Sequence, residues 1–459
     1  MAAKIFLLLF LCTSAYAQQN SLLKTSKNGH TFQKADGTPF FWLADTGWEM
    51  INRLTKDEAD FYLETRSTQG FNVIQTVILS ELTGINNKSA MGEKPLINGD
   101  PSSPNDKFFK HVDYIVNKAS SLGIYLALLP TWGRYWSEDE IFDTDNAYEF
   151  GKYLGRRYKD KWNIIWILGG DRIPKTPEQV EIIDRMAAGL KDGDNGSHLI
   201  SFHPAGSNTS ESFFGDDTWL DFNMSQSGHA NRNEPNYLYV LNGYMHKPAK
   251  PFIDGEPRYE DLPVKFWEIE LPENYMENTV IIPGSATPYG YFNDYDVRKA
   301  EYWAVFSGAA GATYGNGSVW CFWDKGKSAP IAVKLPWQKA LFSPGAVQMQ
   351  YLKKIIDEYG INNLIPDRSL IVDNWSGCSD YQVALITRDK RSMLAYTPEG
   401  NHIRIFLKRL STGKHTYRWY NPRNGLFTSP QTVDESVLVE EFNPPSKRTD
   451  WVLTIDTQN

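Results

Sequence analysis

Asn163-Ile-Ile-Trp-Ile-Leu-Gly-Gly-Asp171 is the stretch that decides the fold, because it is an apolar run without alternation that ends in an acidic residue. Strands that are covered on both faces of a parallel sheet have this pattern. A second such run, Lys250-Pro-Phe-Ile-Asp-Gly-Glu256, also ends in a carboxyl group. In a barrel of parallel strands the carboxyl ends share one face, which carries the active site. The two runs therefore predict that Asp171 and Glu256 are catalytic.

Eight short apolar runs recur along the chain, and most are followed by a loop and a segment with helical spacing. They are Phe40–Asp45, Asn72–Leu79, Ile124–Pro130, Asn163–Leu168, Leu199–Pro204, Leu220–Ser225, Pro251–Asp254 and Ala312–Phe322. Eight such strands alternating with helices indicate an α/β fold, the (β/α)8 TIM barrel, which we expect to cover residues 39–361. Helices are expected over Lys56–Arg66, Phe108–Ala119 and Ala346–Ile356.

Other patterns flank the predicted barrel. The turn sequences Lys27-Asn-Gly29 and Ala35-Asp-Gly37 predict a hairpin within residues 18–38 that covers the base of the barrel. From residue 362 apolar residues alternate in short runs between turn residues, which is typical of an antiparallel β-sandwich over 362–459. Cys321 and Cys378 are far apart in the chain and predict no disulfide framework.

The first 17 residues have the pattern of a secretory signal peptide. Lys4 precedes the apolar run Ile5–Leu11, and Ala15-Tyr-Ala17 supplies a cleavage site near Ala17. A leucine just before Cys12 argues against a lipid anchor, which requires a small residue there. No later segment is long and apolar enough to span a bilayer, so we expect a secreted or periplasmic protein without membrane insertion after cleavage.

Charge and aromatic content indicate the class of partner. The net charge of -8 argues against nucleic acid, which needs a basic surface. The 15 Trp and 24 Tyr residues offer flat apolar surfaces that suit the C–H faces of sugars, although many of these rings must fill cores. We therefore expect an oligosaccharide or polysaccharide as the substrate, and the sequence leaves the oligomeric state open.

Two carboxyl groups at one barrel face are the requirement for glycoside hydrolysis, in which one protonates the leaving oxygen while the other attacks the anomeric carbon or activates water. We expect Glu256 to be the nucleophile, kept ionised by Arg258 and Tyr314. Asp171 is the expected general acid, with the apolar surroundings of Trp166 favouring its protonated form. The alternative is structural: Asp171 would cap a helix, and Glu256 would form an ion pair with Arg258.

Polar and aromatic side chains near the ends of the same runs are candidates for binding sugar. They are Asp45, Trp48, Gln75, Trp132, His203, Gln226, His229, Arg258, Tyr314 and Trp320. The tryptophans would form stacking walls, and the polar groups would bind hydroxyls. The competing interpretation for each is a packed ring or a satisfied loop hydrogen bond. His203 and His229 lack the spacing of metal ligands, so no metal or cofactor is expected.

Five blocks in order carry a family resemblance: Trp42–Trp48, Leu129–Gly133, Asp221–His229, Asp254–Glu260 and Gly311–Gly315. Together they resemble the DUF4038 apiosidase-like barrels, of which glycoside hydrolase family 140 is the characterised part. The resemblance covers about residues 30–360, and the tail is similar to the small sandwich that is named a collagen-binding domain in relatives.

That resemblance implies a retaining clan A hydrolase that removes apiose-linked units from the pectin rhamnogalacturonan-II, with Asp171 as acid/base and Glu256 as nucleophile. Most clan A enzymes carry Asn-Glu where this chain has Gly170-Asp171, and the shorter acid leaves an inverting geometry open. Carboxyl groups about 5–5.5 Å apart favour retention, and about 6.5–9.5 Å inversion. Other possibilities are the same mechanism on another plant or algal glycan, such as an arabinofuranoside or glucoside, or a non-catalytic glycan-binding protein.

Overall fold

The computed structural model describes residues 21–269, 287–327, 329–374, 379–433 and 436–458. The predicted signal peptide and Cys378 lie outside these ranges. The described residues divide into two compact units: the first contains those of 1–40, 44–224 and 320–322, and the second those of 41–43, 225–319 and 323–459. Within the described ranges, no helix has the length and apolar character needed to cross a membrane.

Twelve strands precede residue 320 in the described ranges. They are β1 Leu23–Thr25, β2 Phe32–Lys34, β3 Pro39–Phe40, β4 Trp42–Thr46, β5 Val73–Leu79, β6 Tyr125–Thr131, β7 Ile164–Gly169, β8 Ile200–His203, β9 Asn208–Thr209, β10 Asn223–Gln226, β11 Phe252–Asp254 and β12 Gly311–Tyr314. Six form a sheet in the order β12-β4-β5-β6-β7-β8, within which β4 to β8 pair in parallel. A second sheet has the order β11-β10-β9. Strands β4 and β10 each contribute residues to both units.

The helices are α1 Met50–Arg53, α2 Lys56–Thr68, α3 Asp106–Ser121, α4 Arg134–Ser137, α5 Thr144–Tyr158, α6 Pro177–Asp194, α7 Glu211–Phe214, α8 Asn236–Met245, α9 Asp294–Phe306, α10 Trp337–Ala340 and α11 Pro344–Tyr359. Local sequence explains where several begin. Thr55 and Glu58 form a capping box at the start of α2, and Asn105 accepts a hydrogen bond from Lys107 N–H at the start of α3.

Most predicted strands agree with the observed ones to within one or two residues. Strands β5, β6 and β7 are buried along their whole length, which explains why their sequences do not alternate. The eighth run differs, because the predicted strand Ala312–Phe322 is only β12, Gly311–Tyr314. The chain turns after β12 where Gly315 passes so close to Tyr259 that a Cβ would lie 2.1 Å from its ring.

The predicted N-terminal hairpin is a three-stranded antiparallel sheet, β1-β2-β3. Its Phe32 ring lies edge-on to Phe222 at 5.2 Å, and Phe40 lies edge-on to Tyr125 at 5.1 Å. Tyr125 is the first residue of β6. The hairpin therefore packs near the end of the parallel sheet that is opposite to the carboxyl ends.

The C-terminal domain is antiparallel, as its alternating sequence predicts. Its strands are β13 Leu364–Pro366, β14 Val383–Thr387, β15 Ser392–Thr397, β16 Ile403–Phe406, β17 His415–Asn421, β18 Leu426–Phe427, β19 Gln431–Thr432, β20 Val439–Phe442 and β21 Trp451–Thr457. Strands β16 and β20 form a two-stranded sheet, and the others form a seven-stranded sheet in which β19 pairs with β17. Apolar side chains from both sheets share one core, including Ile405 and Leu453.

Candidate active site

Asp171 stands on a turn that is tightly fixed by its neighbours. Gly169, Gly170 and Asp171 have φ values of 89°, 96° and 57°, so the chain leaves β7 through three successive left-handed residues. Gly170 N–H donates to the carbonyl of His203 at 3.1 Å, and Gly170 O accepts from Gly133 N–H at 2.9 Å. A Cβ on Gly169 would lie 2.3 Å from His203 O. A non-glycine residue with positive φ is costly and is common at functional sites.

The side chain of Asp171 is 40% exposed at the carboxyl end of β7. Arg172 places its Nη1 3.6 Å from Oδ2 of Asp171 and is itself held by Glu138 at 2.6 Å. The backbone N–H of Asp171 donates to Nδ1 of His203 at 3.3 Å. Because that nitrogen accepts, the ring proton is on Nε2 in this arrangement. The turn thus presents an accessible carboxyl group beside an oriented imidazole.

Trp166 does not provide the apolar surroundings that the sequence analysis assigned to Asp171. Its indole N–H donates to Asp194 at 3.2 Å, and its ring packs beside Tyr158 and His198. These partners lie on α5 and at the end of α6 and beyond it. Side chains alternate between the faces of a strand, and Trp166 lies on the face that the helices cover.

An aromatic cluster surrounds the Asp171 turn. Trp48 lies edge-on to Trp132 and to His203, each at 5.4 Å, and Trp132 is 6.1 Å from His203. These residues follow or end β4, β6 and β8 in the sequence. Trp48 and His203 are buried, and Trp132 is partly exposed. Of the predicted stacking walls in this unit, Trp132 therefore has the accessible surface that contact with a sugar requires.

The other predicted binding residues of the first unit are placed less favourably for substrate. Asp45 is fully buried, where its Oδ2 accepts from Tyr62 at 2.6 Å and from Arg66 at 2.7 Å. Gln75 is also fully buried within β5. Trp320 is partly buried, and its carbonyl accepts from Glu49 N–H at 3.1 Å. For Asp45, these hydrogen bonds indicate a structural role.

One residue near the end of β4 was not foreseen. Glu49 is buried, accepts hydrogen bonds from the hydroxyls of Ser80 and Thr83, and has its pKa raised by burial, which these hydrogen bonds oppose. Glu49 could have been found from the sequence, because it is an acidic residue four positions after Asp45, close to the end of the same strand.

Gly133 fixes the Asp171 turn, and we expect Gly133→Ala to disturb it. A Cβ there would lie 2.4 Å from Gly170 O and 2.5 Å from Cγ of Arg172. The φ of Gly133 is -60°, a value that alanine adopts without strain. The expected destabilisation therefore comes only from the close contacts of the added Cβ. We expect a loss of about 1–3 kcal/mol in the free energy of unfolding, measured in urea, together with a lower kcat.

The matched control is Gly206→Ala, because a Cβ at Gly206 would have no atom within 4 Å. We expect this variant to keep its stability and its kcat. An unchanged kcat in a folded Gly133→Ala variant would contradict the positioning role of the turn.

Glu256 follows β11 in the second unit and is held by its backbone and by one histidine. Gly255 N–H donates to Ser225 O at 2.8 Å, and Gly228 N–H donates to Glu256 O at 3.0 Å. Nε2 of His229 lies 3.0 Å from Oε1 of Glu256. A carboxylate only accepts, so His229 is the donor to an ionised Glu256. The Glu256 side chain is 10% exposed.

His229 is itself held in an aromatic enclosure. Its ring lies 4.6 Å from Tyr259, 5.9 Å from Phe266 and 6.5 Å from Phe292 between centroids. Its carbonyl accepts from Lys265 N–H at 2.9 Å. The imidazole therefore has a fixed orientation toward Glu256, which makes it a positioning residue for that carboxylate.

Asp254 organises the segment that leads to His229. It is buried at the end of β11, and its two oxygens accept from both the hydroxyl and the N–H of Ser227, from the Ser225 hydroxyl and from the Asn236 amide, at 2.7–3.2 Å. Gln226 lies between the two serines and is 5% exposed. Four hydrogen bonds to one carboxylate fix this loop.

Arg258 and Tyr314 have partners other than those predicted. Arg258 is fully buried, donates to the carbonyl of Glu234 and lies over Trp303, and burial lowers the pKa of its guanidinium group. The Tyr314 hydroxyl donates to Glu260 at 2.7 Å. A hydrogen bond to Glu256 comes from His229, which was predicted to bind substrate.

Glu260 is a further carboxyl group that the sequence analysis did not single out. It is 3% exposed, and it accepts from Tyr314 and from Gly345 N–H at 3.1 Å at the start of α11. Burial raises its pKa to about 7, although both hydrogen bonds oppose the shift. A Cβ on Gly345 would lie 2.6 Å from the Glu260 carboxylate, so only glycine allows this approach.

The raised pKa of Glu260 predicts a dependence of stability on pH. The pKa of Glu260 is raised from its ordinary value of 4.5 to about 7. Its contribution to the free energy of unfolding is therefore fully present below pH 4.5 and is lost as the pH rises through 7. Glu260→Gln removes the ionisation. Between pH 5 and pH 8 the variant should gain about 3 kcal/mol in free energy of unfolding relative to wild type, measured in urea at each pH.

Glu149→Gln, on the exposed face of α5, is the matched control and should show a much smaller change. A difference between wild type and Glu260→Gln that stays constant from pH 5 to pH 8 would contradict the assignment.

In the described part of the chain, no three His, Cys, Asp or Glu side chains gather in a way that could hold a metal ion. Each of the two units contains one of the two acidic residues that the sequence predicts to be catalytic. The first offers an accessible carboxyl group beside oriented aromatic rings, and the second offers a carboxylate held by a histidine.

Comparison of the chain with solved structures shows its class of enzyme. A solved structure named "Glycoside hydrolase" is 31% identical, with a TM-score of 0.83 over 96% of this chain and 97% of that chain. A glycoside hydrolase family 5 structure from Bacteroides vulgatus ATCC 8482 is also 31% identical, with a TM-score of 0.85 over 96% and 93%. No curated protein sequence matches the chain. The chain is a glycoside hydrolase.

The family follows from the sequence models. Residues 26–363 match the model described as "Apiosidase-like, catalytic domain", and residues 365–456 match "Putative collagen-binding domain of a collagenase". The chain belongs to the apiosidase-like family. A third structure, described as "a putative glycoside hydrolase from Bacteroides vulgatus ATCC 8482", shares the fold at 15% identity, with a TM-score of 0.68 over 96% of this chain and 83% of that chain. These findings confirm the family and the class of enzyme that the sequence blocks indicated.

Proposed function

We propose that this enzyme is a secreted or periplasmic retaining hydrolase of apiose-containing linkages in rhamnogalacturonan-II. The substrate is supported by the apiosidase-like family match over 26–363. The location is supported by the signal-peptide pattern of residues 1–17. N-terminal sequencing of the exported protein tests the proposed location, and we expect the mature protein to begin near Gln18.

We propose further that the eight apolar runs form a (β/α)8 barrel. Hydrogen bonds between strand segments support closure. Asp221 N–H donates to Ile200 O at 2.8 Å, Ala310 N–H donates to Phe252 O at 2.9 Å, and Trp42 N–H donates to Ala310 O at 3.2 Å. In such a barrel all strand carboxyl ends share one face, and there the residues after the fourth and seventh strands serve one substrate.

In the proposed mechanism, Asp171 donates its proton to the glycosidic oxygen while a Glu256 oxygen attacks the anomeric carbon. The C–O bond to the leaving group breaks, and an ester bond to Glu256 forms. Asp171, now ionised, then removes a proton from water, which attacks the same carbon and releases Glu256. The observation that carries this assignment is the His229 hydrogen bond to Glu256, because a donor at 3.0 Å from one carboxylate oxygen fixes the direction of that side chain.

The deciding experiment follows the sugar that is released first. Wild-type protein is incubated with rhamnogalacturonan-II side chains, and the reducing sugar and its initial anomer are identified by proton NMR. Apiose of retained configuration is the expected product. Inverted configuration would overturn the nucleophilic role of Glu256, and release of arabinose or glucose would replace the substrate while keeping the reaction class.

A further inference from the structure

Trp267 is a large aromatic side chain that the fold leaves in solvent. It lies in the 3-10 turn Phe266–Glu268 and is 56% exposed. Tyr289 is 46% exposed and comes from a neighbouring segment, since Val264 N–H donates to Gly290 O at 3.0 Å. Single exposed aromatic rings are ordinary on protein surfaces. Two rings on bonded segments call for a specific explanation.

The Trp267 turn is connected to the carboxylate of Glu256 through aromatic contacts. The Trp267 ring lies edge-on to Phe266 at 5.3 Å, and Phe266 lies 5.9 Å from His229, whose Nε2 bonds to Glu256. The backbone repeats this link, because Lys265 N–H donates to His229 O at 2.9 Å. Trp267 therefore stands two ring contacts away from the histidine that holds the proposed nucleophile.

The turn is held in place at a conformational cost. Lys265, which precedes it, has a φ of 54°, a value that is unfavourable for a lysine. Its ammonium group lies 4.8 Å from the centroid of the Tyr289 ring and 3.2 Å from Glu268. Strained backbone that is kept by its surroundings is concentrated at binding and catalytic sites. Trp267 follows Lys265 by two positions and is exposed although its ring is apolar.

We propose that Trp267 and Tyr289 form a stacking platform for the glycan chain that continues beyond the sugar at Glu256. The C–H faces of sugar rings pack on the electron-rich faces of indole and phenol rings. This inference rests on the proposed function and adds to it that the preferred substrate is an extended oligosaccharide. We expect the substrate's own chain to bind there, because ring contacts through Phe266 and His229 connect Trp267 to Glu256.

The test is the ratio of kcat/KM for an extended substrate to that for a short one. The substrates are a rhamnogalacturonan-II side-chain oligosaccharide and 4-nitrophenyl apioside. We expect Trp267→Ala to lower this ratio about 10-fold, mainly through the KM for the oligosaccharide, and Trp267→Phe to restore most of it. Phe342→Ala, at another exposed ring with 59% exposure, should leave the ratio unchanged.

The outcomes separate the two proposals. An active wild type whose ratio does not change in Trp267→Ala overturns the platform alone, as does an equal loss on both substrates, which indicates a structural role. A wild type that is inert on both substrates overturns the proposed function and the platform with it. Circular dichroism melts of each variant establish that the protein under assay is folded.

Discussion

Replacement of Glu256 by glutamine should reduce kcat by at least about 10⁴-fold, because the amide cannot form the covalent ester on which the proposed reaction depends. The change keeps the size of the side chain, and the glutamine amide can still accept a hydrogen bond from His229 through its oxygen. The fold of this unit should therefore persist. The measurement is single-turnover and steady-state hydrolysis of an aryl apioside, with melting temperature as a check of folding.

Asp171→Asn belongs to the same prediction, with a smaller effect that depends on the leaving group. We expect a loss of about 10²–10⁴-fold on the oligosaccharide, where the leaving oxygen needs a proton. The loss should be smaller for a nitrophenyl glycoside, whose leaving group departs unprotonated. Glu64→Gln, at an exposed carboxyl group on α2, is the matched control and should retain full activity.

Azide distinguishes the two roles further. With Asp171→Ala and an activated substrate, azide should attack the covalent intermediate and restore turnover with retained configuration. With Glu256→Ala it should attack the substrate directly and give inverted glycosyl azide. Full activity in either carboxyl variant, or the reverse pattern of configurations, would remove that residue from its assigned role.

Loss of the buried ion pair between Arg298 and Asp450 should have the largest effect on stability. Arg298 lies on α9 and donates to both oxygens of Asp450, at 2.6 and 2.8 Å, and both side chains are almost fully buried. Arg423 adds a contact to Asp450 at 2.9 Å. We expect Asp450→Ala to lower the free energy of unfolding by about 3–5 kcal/mol, because it removes the buried carboxylate that pairs with both Nε and Nη2 of the buried Arg298.

The control for this prediction is Lys110→Ala, which removes an ion pair with Asp106 whose side chains are 72% and 66% exposed. Exposed pairs contribute about 0–1 kcal/mol. Urea unfolding curves measure both variants. A change below 1 kcal/mol for Asp450→Ala would show that the antiparallel domain does not depend on α9, and would favour an independent binding module.

The strands could be predicted because a strand that is buried on both faces has a continuous apolar run in the sequence. The run Asn163–Leu168 corresponds to β7, Ile164–Gly169, and the acid that follows it lies where the sequence analysis expected. The proximity of His229 to Glu256 also follows from strand order, since β10 and β11 are neighbours in one sheet. Their terminal residues must then lie close together.

Side-chain directions and distant partners could not be obtained in this way. Asp45 was expected to face substrate, but it bonds to Tyr62 and Arg66, which lie four residues apart on one face of α2. The sequence shows that Tyr62 and Arg66 share one face of α2, but it does not show that this face packs against β4. Glu260 accepts from Gly345, 85 residues later, and no local pattern predicts such a contact.

Strands β4 and β10 have a consequence for any attempt to recombine this enzyme with its relatives. Trp42 and Asp45 lie on one strand but belong to different compact units, and β10 is divided in the same way between Met224 and Ser225. A crossover placed between the units in a chimera would therefore cut through hydrogen-bonded strands. Segments exchanged among homologues should instead end in the loops that follow the helices.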